Sequence, residues 1–165
     1  MNRNLLIFLF FLIPSGLLSQ NFDVRLLESI NSGEPQKSDK YFRFISNSDA
    51  YVVIGTPVII AGTGFICDDD EMVRNACVMA AACILNIGVT NALKYTIRRD
   101  RPWITWPDIV NKSDSDGPSL PSSHTSTAFA TATSLSLAYP EWYVIIPSFA
   151  YAGTVAYSRM HLGAH

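Results

Sequence analysis

The sequence predicts an all-α protein, a multi-helix bundle that spans a membrane and carries a polar site at the outer ends of its helices. Three observations lead there. Charged residues make up only 16% of the 165 residues and hydrophobic ones 48%, a chain poorer in charge than an average soluble domain. Four long stretches carry no charge at all. The residues able to do chemistry collect in three short clusters at the ends of those stretches: KYTIRRDRP, LPSSHTSTAFA and SRMHLGAH. The length suits one domain with a sizeable core, and a net charge of -2 gives no case for nucleic acid as a partner.

The chain opens MNRNLLIFLFFLIPSGLLSQ, with Arg3 as the only charge, an apolar run from Leu5 to Ile13, and a break at Pro14, Ser15 and Gly16. This is the build of a secretory signal peptide over residues 1–19, cleaved after Ser19. Its apolar run falls short of the roughly 20 residues of a spanning helix; an uncleaved anchor is the alternative. Residues 20–49 form a polar N-terminal segment whose stretch NFDVRLLESI is amphipathic and fits a surface. Residues 50–165 form the helical domain.

Within that domain the charge-free stretches are residues 50–67, 75–93, 125–140 and 142–158, the last two separated only by Glu141. A spanning helix needs about 17–25 mostly apolar residues. The second stretch fits, the first and last are marginal, and the third is short and rich in hydroxyls. A helix in water normally shows a charged face; the Gly, Ala, Ser and Thr of these stretches also suit close helix packing in lipid. A fully buried soluble helical core is the alternative. Residues 100–122, rich in Pro, Gly, Ser and Asp, read as a surface loop. Cys67, Cys77 and Cys83 lie in apolar surroundings with neither disulfide nor metal spacing, and read as buried free thiols.

Lys94 and Arg101 are seven residues apart, almost two helical turns, so on one helix they share a face; a basic helix end answering the dipole or the membrane surface is the plainer alternative, and serves for Arg98 and Arg99. Ser122 and Ser123 precede His124 and an apolar run, the pattern of an N-cap, and the amides of a helix start bind anions. Arg159 closes the last charge-free stretch, and Gly163 marks a turn before His165. Chain topology puts the three clusters on one side. Loop alone joins the first two, and two crossings separate His124 from Ser158. An exported N-terminus makes that side the outer one. Lys94, Arg98, Arg99, Arg101 and Arg159 then stand outside, and the acidic CDDDEMVR inside, against the positive-inside bias; either the topology is the reverse or the outer cations have a task, and the second is the preferred reading. Arginine forks match phosphate oxygens in pairs and lysine adds a point charge. One histidine can attack phosphorus while another protonates the leaving oxygen. No carboxylate cluster suggests a metal.

Lys94 to Pro102, Pro121 to His124, and Ser158-Arg159 with His165 follow in order Lys-x6-Arg-Pro, Pro-Ser-Gly-His and the start of Ser-Arg-x5-His-x3-Asp. In this the sequence resembles the type 2 phosphatidic acid phosphatase family, whose site also occurs in bacterial acid phosphatases and vanadium haloperoxidases, over about residues 40–165. The resemblance implies catalytic roles for His165, as the nucleophile forming a phosphohistidine, and His124, as the general acid. It implies phosphate binding by Lys94, Arg101, Ser122, Ser123 and Arg159, no metal and no cofactor for hydrolysis, and His161 as a bystander. Two departures stand out. Ser123 replaces a glycine, which strains the backbone if a positive φ is needed there and costs little if only the amide is used. The family's aspartate, four residues after the nucleophile, would fall at position 169, so the chain reads as truncated at its C-terminus, a fragment or an incomplete gene model. The implied function is hydrolysis of a lipid phosphate or pyrophosphate at the outer face of a membrane. Phosphatidic acid, phosphatidylglycerol phosphate and an isoprenyl pyrophosphate all fit as substrates. Trp103 and Trp106 suit the interface near headgroups, or packing. The alternatives are a soluble exported acid phosphatase of broad specificity and a non-catalytic membrane protein that binds lipid phosphate.

Overall fold

The computed structural model describes residues 15–113 and 115–165, with side chains from residue 23 onward. The signal-peptide reading therefore lies outside the described residues, apart from the five that open the first helix. The described residues are helical and include no strand. The elements are α1 (Ser15–Asn31), α2 (Asp39–Ile66), α3 (Asp70–Ile97), the single turn α4 (Pro102–Thr105), α5 (Ser123–Ala138) and α6 (Trp142–His161).

Four of them make the bundle. α2 packs on α3, α3 on α5, α5 on α6 and α6 on α2, with α2 and α5 also touching across the middle; α1 lies against α6. The contacts are made by small and branched residues, with Ile45, Ala128, Ala132, Ala152 and Val155 in one buried cluster. Alanine at such positions lets helix axes approach closely. The α2–α3 turn is equally tight. A side chain on Gly64 would stand 2.9 Å from Val73 Cγ2 and 3.0 Å from the Asp69 carbonyl oxygen, while Asp69 caps α3 by accepting from the amides of Glu71 and Met72.

Two segments, Asp39–Ile66 and Asp70–Thr105, are long and apolar enough to cross a membrane. At 1.5 Å per residue the 28 residues of α2 extend about 42 Å, beyond the roughly 30 Å of a hydrocarbon core. α2 begins at Asp39, so the helix continues well before the charge-free stretch that opens at residue 50. The outward faces are apolar. Tyr51 is 80% exposed and Ile66 85%, and Ile59, Ile84, Leu85 and Leu137 are exposed with them. That pattern is opposite to a helix packed in water, whose exposed face is charged.

Two expectations need correction. Cys67 and Cys77 are exposed and only Cys83 is buried, because apolar neighbours on these helices mark the outer face as often as the core. The 100–122 loop is no mere surface loop either. Ile109, Lys112, Ser113 and Ser119 are buried, since the loop folds over the bundle end and bonds to the helix termini there.

Candidate active site

That bundle end gathers the end of α1, the start of α2, the end of α3, the start of α5 and the end of α6. Each site residue reaches it by a local device. α3 stops because Arg98 adopts a left-handed conformation (φ 49°) and its amide bonds back to the Lys94 carbonyl. Lys94 thus sits in the last turn of α3, while Arg101 is the extended residue before α4. The two do not share a helix face as the spacing suggested; the turn after Ile97 brings Arg101 round instead. Arg101 is only 3% exposed. It donates from Nε to the Gly117 carbonyl (2.9 Å), from Nη1 to Ala164 (2.7 Å) and from Nη2 to Asp116 (2.8 Å), and packs 5.4 Å from the Trp103 ring centroid. A guanidinium has five N–H groups, so these bonds leave donors to spare.

Ser122 caps α5, its hydroxyl accepting from the Thr125 amide at 3.5 Å. Ser123 is the first residue of α5, and positive φ among described non-glycine residues is confined to Ser32, Asp68 and Arg98. Serine therefore stands in the glycine's place without backbone strain. His124 follows in the first turn and borders a cavity of about 140 Å³ shared with Ser46, Ser115 and Arg159.

α6 ends in a left-handed glycine cap. Gly163 has φ +69°; its amide bonds to the Met160 carbonyl and that of Ala164 to Arg159, each at 2.9 Å. No larger residue fits, because a Cβ on Gly163 would lie 2.6 Å from the Val110 carbonyl oxygen. The turn delivers Arg159 and His165 to the same place. Arg159, 4% exposed, donates from Nη1 to Ser46 Oγ (2.9 Å) and from Nη2 to Ser115 Oγ (2.6 Å), and its Nε has no partner. The His165 ring is hydrogen-bonded by the Ser119 backbone. A ring N–H held by a carbonyl leaves the other nitrogen with its lone pair free.

Lys94, Arg101, Arg159, His124 and His165 act on one another electrostatically, so they form one cluster. Burial, then Arg159 and Arg101, lowers His165 to about 3. Burial, then Arg159, Lys94 and Arg101, lowers His124 to about 4. Burial and then Arg101 lower Arg159 to about 10, with Asp49 opposing. Both histidines are neutral near pH 7, and the surplus positive charge around them suits an anion. Among the described residues no group of three or more His, Cys, Asp or Glu is placed to hold a metal ion.

His161 stays out of this cluster. Its Nε2 is 2.8 Å from Asp39 Oδ1 and its Nδ1 donates to the Ile30 carbonyl (3.1 Å). Sequence reading missed that buried pair, and also Ser46, Ser115, Ser119 and Asp49 around the site. Of these only Asp49, an acid directly before a charge-free stretch, left a signal in the sequence.

A family model described as the PAP2 superfamily matches residues 75–165. That range takes in Lys94, Arg101, Ser122, Ser123, His124, Arg159 and His165. No curated protein and no solved structure matches the chain significantly.

Proposed function

Since the match takes in more than half of its residues, the chain belongs to the PAP2 superfamily, and from that membership we propose that it is a phosphatase that removes phosphate from a lipid monoester or pyrophosphate through a phosphohistidine. The observation that carries the reading is the convergence of three cations and two neutral histidines at one bundle end. In this reading Lys94, Arg101 and Arg159 hold the phosphate oxygens, aided by the Ser122 hydroxyl and the Ser123 amide at the start of α5. The free His165 nitrogen attacks phosphorus, and the bond to the leaving oxygen breaks. The dianion offsets the surrounding cations and restores His124's basicity, so His124 arrives protonated and gives its proton to that oxygen. Water then attacks phosphorus and passes its proton to His124. The N–P bond breaks, phosphate leaves and His165 is regenerated. The cations stabilise charge at both steps without a metal.

A lipid substrate is supported by the surroundings of His124. An apolar groove of about 250 Å³, lined by Ala50, Val53, Ile54 and Ile87, opens at Ser123 and His124. It shares Val53, Ile54 and Ile87 with a further space of about 370 Å³ between α2 and α3, room for a hydrocarbon chain below a phosphate head. With the apolar outer faces of α2, α3 and α5 in the bilayer, the site stands at one membrane surface, which we assign to the outer face on the signal-like N-terminus.

The test is phosphate release by the full chain in detergent, from phosphatidate in mixed micelles, with EDTA present and His165→Ala in parallel. Chelator-resistant release that falls at least roughly 10³-fold in the variant is expected. Release that EDTA abolishes overturns metal independence, and no release from folded wild type favours a lipid-phosphate binder.

A further inference from the structure

Asp49 is a buried acid for which the reaction just described has no use. It lies on α2 and is 4% exposed, in surroundings where an unsatisfied carboxylate is costly. Its Oδ2 accepts from Thr127 Oγ1 at 2.7 Å. Its Oδ1 is equally buried and has no hydrogen-bond partner. Asp49 lines the 250 Å³ groove together with Ser123, His124 and Thr127. Thr127 stands three residues after His124 on α5, on the same face of the helix, so the bond to Thr127 holds the carboxylate against the helix face that carries His124. An ion pair with Arg159 is the obvious alternative task. Arg159 is an electrostatic neighbour, yet its guanidinium bonds to Ser46 and Ser115 and its Nε stays unpartnered.

We infer that Asp49 is a positioning residue for His124, its free Oδ1 accepting the imidazole N–H when His124 carries a proton and so aiming the opposite nitrogen at the leaving oxygen. The inference rests on the phosphatase reading. It also supplies an orienting carboxylate outside the three sequence motifs, in the nucleophile, acid and orienter logic of histidine sites. The titratable and charged groups facing this pair are Arg159 and Tyr151 of α6, Lys94 of α3 and Arg101. The three cations oppose a charged His124, and in this inference Asp49 is the group that favours it. Removing that carboxylate lowers the pH at which bound His124 loses its proton.

Asp49→Asn keeps the shape and the Thr127 bond while removing the charge. With the full chain in detergent, kcat on an alkyl phosphate is expected to drop about 10- to 100-fold. KM should change little, and the alkaline limb of the kcat–pH profile should move to lower pH. On p-nitrophenyl phosphate, whose leaving oxygen hardly needs a proton, the loss should be under about threefold. Thr127→Val, which frees the carboxylate to turn away, is expected to give a smaller loss with the same dependence on leaving group; it decides the matter if Asp49→Asn does not fold. Equal losses on both substrates, or no loss on either, overturn the inference while leaving an active wild type and its phosphatase reading standing. An inactive wild type sinks that reading, and this inference with it.

Discussion

Two buried polar clusters lie side by side at the same bundle end and are built on opposite terms. In one, Asp39 Oδ1 lies 2.8 Å from His161 Nε2 and 3.8 Å from Lys112 Nζ. Lys112 Nζ donates to the Asn31 carbonyl, and the Asn31 amide bridges Val110 and His161. Acid faces base, and the buried donors are used. In the other, Lys94, Arg101 and Arg159 crowd two neutral histidines, Arg159 Nε has no partner, and each cation raises the cost of the next. The first cluster fastens α1, α2, the loop and α6 together. The second keeps a positive potential that only an added anion completes. Side by side, they separate what holds the fold from what the fold holds ready.

The contrast breaks most visibly in the first cluster. Asp39→Ala leaves His161 and Lys112 buried without their acid, and is expected to lower stability by about 3–5 kcal/mol, read as a fall in the unfolding midpoint in detergent. Next comes Gly163→Ala. The left-handed backbone alone costs about 1–2 kcal/mol, the clash with the Val110 carbonyl adds to it, and displacement of His165 should cut phosphate release more than the midpoint falls. Lys94→Met should behave in the opposite sense to Asp39→Ala. Phosphate release drops, while the stability measured without phosphate stays level or rises by up to about 1 kcal/mol, because a repelled cation is gone. A fall in midpoint as large as that of Asp39→Ala would erase the distinction.

The contrast also shows in the dependence on pH. His124 and His165 sit at about 4 and about 3 in the fold against an ordinary value of 6.5. The unfolded chain therefore binds more protons between those limits, and the stability that the neutral rings contribute is complete above pH 6.5 and lost as pH falls. The unfolding midpoint should decline from pH 7 to pH 4, and His124→Asn should shallow that slope.

Much of the second cluster was legible in the sequence and almost none of the first. Lys94, Arg101, His124, Arg159 and His165 stand in short patterns, and Ser122 and Gly163 announce a cap and a turn through local backbone chemistry. Charge-free stretches gave the bundle helices, although α2 runs on to Asp39 because its charged residues at that end serve the loop. The Asp39–His161–Lys112–Asn31 cluster joins residues far apart in the chain, and nothing local to any of them reveals the others. The loop's polar composition hid its burial for the same reason: its polar groups are spent on helix ends instead of water. The spacing of Lys94 and Arg101 suggested one helix face, and the left-handed Arg98 brought them together by another route.

The most direct measurement is thermal unfolding of the full chain in detergent, with EDTA, as inorganic phosphate is titrated in at constant ionic strength. A pre-formed cation site predicts a midpoint that climbs with phosphate, reaching about 2.7 kcal/mol of added stability at a hundredfold excess over Kd, and a much weaker climb in Lys94→Met. A wild-type midpoint that phosphate moves no further than chloride does would contradict the claim that this cluster is held ready for a phosphate.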